Sequence, residues 1–336
     1  PFSRRNYDLS ASYRVLPTVA VNAGMAWETW SRDSTERQVS TTNERTPRAS
    51  IDFTGLDWVT LRASYSNGER RGNEYTPPPG DNPDFRRFDE ADRNRERSSL
   101  GAEFNPVEQL TLSLTWEVGH DGYPNSQYGV QSDKSTMGAG SVTWTPSDRF
   151  SFDVGYSRED YNDLLYQLYR TGSRAATLNN PSWRWNSNVT DHINTTYAGF
   201  TAALDPGKWD SGGNISMSDA TFVEAAYNPA KPTGGTAAQN LSATAISFPS
   251  VTQRLHPTSL FLRYHYSADW AMTVRYTVES FTMSDFRTQT LTPAIGTTGN
   301  TIVLNNYYQN YNVGWWTFTL SWHPSLMKYG SGRSAL

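Results

Sequence analysis

Apolar and polar residues alternate along many segments of this chain. Between Leu110 and Val118 every second residue is Leu, Trp or Val, and the residues between them are Thr, Ser or Glu. The same alternation runs from Trp58 to Tyr65. A period of two residues places one kind of side chain on each face of a β-strand. These segments are therefore predicted to be strands with one apolar and one polar face.

Short turns and long polar segments alternate between the predicted strands. The turns contain Pro, Gly, Asp and Ser, which favour tight turns, and they lie at residues 15–18, 55–57, 106–109, 146–149, 205–208 and 267–269. The long segments include residues 31–43, 121–133 and 220–254. In the long segment between Tyr161 and His192 a helical turn is also expected, with Leu164, Leu165 and Leu168 on one face.

The composition favours a membrane barrel over a soluble globule. Hydrophobic residues make up only 36% of the 336 residues, whereas the aromatic share of 13% is high, and the mean hydropathy is -0.66. In a transmembrane barrel only every second strand residue faces lipid, and aromatic residues gather at both interfaces. No run reaches the roughly 18 apolar residues that a membrane helix requires. A propeller or solenoid is the alternative, but propeller blades use four short strands per repeat, whereas each repeat in this chain supplies two long ones.

The predicted fold is therefore an all-β, transmembrane antiparallel β-barrel, with about 13 strands in this chain. We expect residues 1–323 to form the barrel segment, with short periplasmic turns and long external loops, and residues 324–336 to form a C-terminal tail. A single-chain bacterial barrel normally has an even number of strands. Either one strand is miscounted or this chain is part of a larger barrel. We expect the second, because open sheet edges in lipid would leave backbone groups unpaired.

The alternation also divides the strand residues between two faces. Charged residues at polar positions are expected to face the lumen, where mixed signs suit a polar protein surface or a hydrated pore better than a one-sign ion filter. The lumen-facing candidates are Glu28, Arg48, Asp52, Arg62, Glu103, Glu117, Asp153, Arg263, Arg275 and Glu279. Tryptophan is expected where hydrocarbon meets lipid headgroups, because its ring is amphipathic. The interface candidates are Trp27, Trp58, Trp116, Trp144, Trp270 and Trp316.

The sequence contains no motif for catalysis or for a resident cofactor, so a non-enzymatic protein is expected. With no cysteine, the chain has no thiolate metal site and no attachment motif for a c-type haem. The acidic segment Asp81–Asp92 could offer oxygen ligands to Ca²⁺, but arginines interleave with its carboxylates, so a solvated loop is favoured. The net charge of -4 gives no indication of nucleic-acid binding.

Several phrases of the sequence resemble the MtrB/PioB-type family of outer-membrane barrels, which accompany periplasmic decahaem c-type cytochromes. They are residues 56–65 (LDWVTLRASY), 87–95 (RFDEADRNR), 105–112 (NPVEQLTL) with an echo at 145–150 (TPSDRF), and the hairpin 260–276. The resemblance implies a barrel of about 26 strands in the bacterial outer membrane. This chain would be the C-terminal half of that barrel.

For function, the resemblance implies a porin–cytochrome complex for extracellular electron transfer. The barrel would hold and insulate a periplasmic multihaem c-type cytochrome inside its lumen, so that haem c belongs to the partner and not to this chain. The long external loops are candidates for contact with an extracellular cytochrome, and membrane lipid surrounds the barrel. From the residues alone, two other functions stay open. One is a passive diffusion porin or substrate channel without a haem partner, and the other is an adhesin or structural barrel.

Overall fold

The structure, a computed structural model, describes residues 2–33, 37–77, 82, 84–169, 180–286, 294–295, 302–303 and 310–322. The long strands are β1 (Phe2–Leu16), β2 (Val19–Arg32), β3 (Thr41–Leu56), β4 (Val59–Gly72), β5 (Arg93–Val107), β6 (Leu110–Gly122), β7 (Gly129–Ser147), β8 (Phe150–Leu168), β9 (Arg184–Asp205), β10 (Trp209–Tyr227), β11 (Val251–His265), β12 (Trp270–Ser284) and β15 (Tyr311–Trp322). The short strands β13 (Ala294–Ile295) and β14 (Ile302–Val303) pair with each other. A 3-10 turn (Pro181–Trp183) and one short helix, α1 (Ala237–Ser242), complete the regular elements. Among the described residues, no helix has the length and apolar character needed to cross a membrane.

The thirteen long strands form one antiparallel sheet in which the order in space follows the order in sequence. Each strand pairs with the next long strand along the chain. Within the described residues β1 pairs only with β2, and β15 pairs only with β12. The strands between them satisfy backbone N–H and C=O groups on both sides, which is what a strand requires in lipid. The predicted strand number and antiparallel arrangement are confirmed.

Several strands extend further from their short turns than the alternation predicts. β8 runs to Leu168, so the expectation of a helical turn at Leu164, Leu165 and Leu168 is wrong. Leu164 pairs with Asn188 on β9, and Leu165 pairs with Val130 on β7. A local spacing of three to four apolar residues fits a helix as well as a strand. Pairing with a neighbouring strand on each side decides the conformation of this segment.

The sheet is strongly staggered. The row of paired residues that starts at Val59, beside the turn between β3 and β4, passes through Val154 in β8 and reaches Val278 in the middle of β12. A row perpendicular to the strands therefore moves away from the short turns as it crosses the sheet. Strand tilt and stagger of this kind are required of the wall of a barrel.

The alternation gives the sheet two different faces. One, the apolar face, contains residues such as Leu61, Leu114 and Trp116, and the other, the polar face, contains residues such as Arg62 and Glu117. Leu114 on the apolar face is 54% exposed. Large exposed apolar side chains in a continuous band are typical of a surface that contacts lipid.

Aromatic rings bound the apolar band. Near the short turns, stacked pairs join neighbouring strands, namely Trp58 with Phe104, Trp144 with Phe152 and Trp270 with Trp322. Trp116 lies further from the turns, beside Gly138, which precedes Trp144 by six residues on β7. Six residues of strand span roughly 20 Å. Because the strands of such barrels tilt by about 35–45°, this length corresponds to a height of roughly 15 Å, less than the lipid-facing band of outer-membrane barrels, about 25 Å.

At the end of the sheet opposite the short turns, two connecting segments fold onto the polar face. The guanidinium of Arg70, a buried residue on the polar face of β4, donates to the backbone carbonyls of Phe88 and Ala91. We call residues 37–39 and 84–92 the mouth segments. Because Arg70 holds residues 84–92 against the wall, this segment folds over the polar surface instead of extending into solvent.

Glu90 joins the two mouth segments to each other. Its buried carboxylate accepts from the backbone N–H groups of Gln38 and Val39, at 3.0 and 3.3 Å, and forms an ion pair with Arg37 at 2.9 Å. Hydrogen bonds to Glu90 and then to Asp89 raise the pKa of the Arg37 guanidinium above its ordinary value. A buried carboxylate is tolerated when donors and a counter-charge satisfy it, and Glu90 has both.

A further segment, residues 228–250, covers the ends of β9 and β10. Asn240 on α1 accepts from the indole N–H of the buried Trp183 at 3.2 Å. Ala226, on the polar face of β10, is buried, and its backbone N–H donates to the Ser247 hydroxyl at 3.2 Å. The polar face is therefore partly covered at two places near the long loops.

Substituting Leu114 by Arg should destabilise the protein much more than substituting its neighbour Ser113 by Arg. Leu114 lies on the apolar face, whereas Ser113 lies on the polar face opposite Glu103. An Arg on the lipid face near the bilayer midplane costs about 2–4 kcal/mol, while an Arg at position 113 would meet a carboxylate. Urea unfolding in phospholipid vesicles, followed by tryptophan fluorescence, should show the difference. Equal losses for Leu114→Arg and Ser113→Arg would contradict the assignment of the two faces.

Replacing Glu90 by Gln should loosen the mouth segments without unfolding the sheet. The substitution removes the counter-charge of Arg37 from a buried site and leaves one acceptor oxygen in place of two. Leaving such groups poorly satisfied costs about 1–3 kcal/mol. Trypsin cleavage after Arg86 or Arg87 in outer-membrane vesicles should become faster. Glu74→Gln, which removes the same charge from an exposed position in the same connection, should leave the rate unchanged, and equal rates for both variants would show that Glu90 is not an anchor.

Candidate functional site: the polar wall

The charged residues predicted to face the lumen all lie on the polar face of the sheet. The register aligns them across neighbouring strands, as where Asp52 pairs with Arg62. The set comprises Glu28, Arg48, Asp52, Arg62, Glu103, Glu117, Asp153, Arg263, Arg275 and Glu279. A lumen wall requires such residues to share one surface. That this surface faces the lumen stays a prediction, in keeping with the apolar character of the opposite surface.

The tryptophans predicted at the interfaces lie on the apolar face, with one exception. Trp58 is in the turn between β3 and β4. The others are Trp27, Trp116, Trp144, Trp270 and Trp316. Trp316 packs against Tyr276, with 4.6 Å between the ring centroids. These tryptophans lie at two distances from the short turns, and their placement at the two interfaces of a membrane stays a prediction.

A dense charge network occupies the polar face near the mouth segments. Asp121 on β6 is 1% exposed and lies 3.4, 2.9 and 2.7 Å from the guanidinium groups of Arg93, Arg95 and Arg97 on β5. Arg93 also pairs with Glu44 on β3 at 2.8 Å. Arginines at alternate positions of one strand share a face and repel each other. The two carboxylates offset that repulsion and connect strands that are not adjacent in the sheet.

Two of the predicted arginines pair with carboxylates on nearby strands. Arg48 forms a two-pronged pair with Asp8, at 2.6 and 2.7 Å, and Arg62 lies 3.3 Å from Asp52. These side chains are exposed or partly exposed, so solvent screens both pairs and they contribute little to stability. Their effect on the wall is to keep its net charge low in this region.

The two predicted arginines at the other side of the sheet have neutral partners. Arg263 on β11 donates to the Thr273 hydroxyl at 3.2 Å, and Arg275 on β12 donates to the Ser259 hydroxyl at 3.1 Å. Both guanidinium groups lie near the ring of Phe261, at 5.7 and 5.2 Å from its centroid. These cations are held by hydroxyls and an aromatic face, and a carboxylate is not needed to keep them in place.

Sequence reasoning missed the network around Asp121. A signal was present, because Arg93, Arg95 and Arg97 occupy alternate positions and therefore share a face if they are in a strand. Charged residues beside a long loop show no apolar periodicity, so the sequence places Asp121 in a loop. The structure extends β6 through Asp121 to Gly122.

In the part of the chain that the structure describes, the acidic segment does not gather its carboxylates around one point. Glu90 pairs with Arg37, and Asp92 accepts from the backbone N–H of Gly72 at 2.8 Å, while Asp81 lies outside the described residues. No group of three His, Cys, Asp or Glu side chains among the described residues is arranged to hold a metal ion. The carboxylates of this segment instead anchor the mouth segments.

Solved outer-membrane barrels share this arrangement of strands. The chain superposes on the open form of the ferric-catecholate import receptor Fiu from E. coli K12 with a TM-score of 0.56 and 12% identity, over 83% of this chain and 54% of that chain. The closed form gives a TM-score of 0.55 and 14% identity, over 83% and 48% of the two chains. The likeness shows the fold alone, that of a transmembrane antiparallel β-barrel, and this chain spans about half the length of each receptor.

Sequence comparison places the chain in one family. Outer membrane protein MtrB from Shewanella baltica (strain OS185) is 20% identical over 201 residues, which are 59% of this chain and only 27% of that protein. A family model described as "outer membrane beta-barrel porin, MtrB/PioB" matches residues 2–323. Because that match covers nearly the whole chain, this protein belongs to the MtrB/PioB family of β-barrels and lies in the outer membrane.

Proposed function

We propose that this protein forms the wall of a barrel that encloses and insulates a periplasmic multihaem c-type cytochrome. Electrons would then cross the outer membrane through the haems of that partner. The observation that carries the proposal is a face that is mostly polar on β1–β8 and carries charges of both signs, set behind an apolar face suited to lipid. Membership of the MtrB/PioB family supports it, as do the sequence phrases that resemble cytochrome-associated barrels. The protein itself would carry out no catalysis.

Such a wall solves an electrostatic problem. A cytochrome placed directly in lipid would expose backbone polar groups and charged haem propionates to a medium in which unpaired charges are very costly. A polar inner surface offers hydrogen bonds and counter-charges in place of water, while the apolar outer surface stays in contact with hydrocarbon. Haem would arrive with the partner, since this chain has no cysteine to attach it.

Charges of both signs suit contact with a folded protein. On the polar face Arg48 pairs with Asp8, and Arg62 with Asp52, so the wall near β1–β4 resembles an ordinary polar protein surface. A filter for one kind of ion would instead use rings of one sign. The wall is therefore suited to contact with a protein over a large area.

The second candidate is a passive diffusion porin or substrate channel without a haem partner. A hydrated lumen also carries charges of both signs. One observation favours this candidate. Arg70 and Glu90 hold the mouth segments against the wall, and segments fixed inside a pore would narrow it and so set the size of the solutes that pass. The two functions differ in what fills the lumen.

Purification of the whole protein from its native membrane in mild detergent distinguishes the two functions. We expect a haem protein to co-purify and to give a Soret band in the visible spectrum. In sealed vesicles, the complex should transfer electrons to an enclosed dye from an external reductant, while small sugars should not equilibrate. A preparation with no Soret band that also admits sugars rapidly would reject the cytochrome proposal and support the porin.

A matched control uses a strain that lacks the gene of the co-purified haem protein. The barrel from this strain should admit small solutes and should not transfer electrons. Electron transfer that persists without the haem protein would also contradict the proposal.

A further inference from the structure

The polar face carries carboxylates without cationic partners in one region. On β7, β8, β9 and β10, the charged residues described on this face are all Asp or Glu. The Lys and Arg residues of these strands, Lys134, Arg158 and Arg184, are on the apolar-face side. We call the acidic surface the carboxylate sector, and it consists of Asp133, Asp153, Glu159, Asp163, Asp191 and Glu224. Asp210, on the same face of β10 beside the short turn, is not part of the sector, because it pairs with His265 at 2.7 Å.

The carboxylate sector differs from the rest of the polar face in how its charges are satisfied. Asp121 faces three arginines, as described above. In the described part of the chain, no Lys or Arg forms an ion pair with any residue of the sector. The partners found are neutral, since Glu159 accepts from the Tyr161 hydroxyl at 2.7 Å and Glu224 accepts from the Ser187 hydroxyl at 2.6 Å.

Like charges oppose each other directly within the sector. Asp133 on β7 pairs in register with Asp163 on β8, and Asp191 lies on β9, opposite Tyr161. Like charges directly opposite in a sheet are destabilising. Oδ1 of Asp191 is buried and has no hydrogen-bond donor among the described residues. Asp133 also lies opposite Asp121, near the arginines of β5, but no described Lys or Arg forms an ion pair with Asp163 or Asp191. The wall therefore supplies little positive charge to this part of the surface.

We propose that the carboxylate sector is the surface on which a Lys- and Arg-rich face of the protein inside the lumen docks. The inference rests on the proposed function, because it requires a protein in the lumen. Charge complementarity of this kind fixes orientation and register more than it adds affinity. The arginines of β4 and β5 are largely occupied within the wall, so the uneven charge distribution would set the rotation of the enclosed protein about the barrel axis.

A basic protein face fits the sector better than a metal ion does. The carboxylates are spread over four strands, and no three His, Asp or Glu side chains in the described ranges come together as metal ligands. Lys and Arg carry their charges on long side chains, so a single protein face can reach carboxylates that are spaced across a sheet. A water-filled lumen would attract hydrated cations to the same surface, and the experiment separates that case.

Photo-crosslinking in intact cells tests which part of the enclosed protein meets the sector. A photoreactive amino acid replaces Ser157 on the polar face of β8, inside the sector, or Ser50 on the polar face of β3, outside it. From position 157 we expect capture of the haem protein through a segment with several Lys and Arg residues, and from position 50 through a different segment. Capture from position 157 through a neutral or acidic segment would overturn the inference and leave the cytochrome sheath intact. Capture of no protein from either position would overturn both.

A charge-neutralised variant tests the energetics. The triple variant Asp133→Asn, Asp163→Asn and Asp191→Asn should release the haem protein at a NaCl concentration about twofold lower than the unmodified complex does, because screened ion pairs are lost. The barrel of this variant should unfold at an equal or higher urea concentration, since like-charge repulsion is removed. Weaker retention of the haem protein could therefore not be attributed to misfolding.

The matched control removes the same number of charges from exposed carboxylates outside the sector, through Glu96→Gln, Glu108→Gln and Asp148→Asn. This control should retain the haem protein as the unmodified complex does. Unchanged release from the Asp133, Asp163 and Asp191 triple variant, together with a loss of cation selectivity in planar bilayers, would identify hydrated cations as the occupants and overturn the inference.

Discussion

Each strand of this protein must present apolar side chains to hydrocarbon on one face and polar side chains on the other. It must also form backbone hydrogen bonds along both edges. The antiparallel sheet meets the last demand, because each strand from β2 to β12 pairs on both sides over most of its length. The first two demands explain a composition that is low in hydrophobic residues and rich in aromatic ones. Since a strand spends only half of its positions on lipid, a chain with negative mean hydropathy can still present a continuous apolar surface.

The same constraint makes the polar face the place where function is built. Outside the membrane band the chain can vary without affecting insertion, but on the apolar face nearly every position is restricted to residues that lipid tolerates. The polar face is free to carry charge, and it does so in two ways. Around Asp121 the three arginines of β5 form direct ion pairs with Glu44 on β3 and Asp121 on β6, and one positive charge is left over in this set.

On β7 to β10 the balance is different. Asp133 and Asp163 face each other, and neither forms an ion pair among the described residues, although a buried or half-buried carboxylate is costly unless it is paired. Asp133 also lies opposite Asp121 and near its arginines, whereas Asp163 and Asp191 form no ion pair with a described Lys or Arg. In the proposed complex, a cation-rich face of the enclosed protein would supply the positive charge that this part of the wall lacks. An enclosed protein that met both surfaces would have one preferred orientation.

The alternation predicted the membrane part of the sheet well, because lipid enforces it residue by residue. Leu110 to Val118 lies on β6 with the predicted faces, and the turn at residues 106–109 falls between β5 and β6 as expected. The prediction fails where lipid no longer acts. Asn186 and Asn188 on β9 lie on the same side of the sheet as the apolar face, at the end away from the short turns, but they are polar. The period of two residues therefore disappears from the sequence there, although the strand continues.

The contacts at the mouth could not be predicted for a different reason. The bonds from Arg70 to Phe88 and Ala91, and from Glu90 to Gln38, join residues far apart in sequence. No local pattern marks such pairs, because an arginine or glutamate in a polar segment is normally predicted to be exposed to solvent. Only the pairing of the strands brings these groups together and removes them from water.

The change of character along single strands shows where the membrane ends. On the lipid side of β8, Val154 and Tyr156 are followed by Arg158 and Asp160, which form an ion pair at 2.9 Å. Charges on that side are costly in hydrocarbon, so the wall beyond Tyr156 projects outside the lipid. Residues further along the strand, such as Asp163, then stand at a level that water can reach.

Asp153 occupies a different position on the same strand. It is next to Val154 in β8 and pairs with Thr143 and Gly199, so it lies on the polar face at the level of the apolar band. At that depth only one sheet separates the carboxylate from hydrocarbon, and its field is less screened than at the mouth. Whatever fills the lumen at this level must therefore supply water or positive charge. In the proposed complex, the need for a polar occupant would thus extend from the mouth segments to the level of the apolar band.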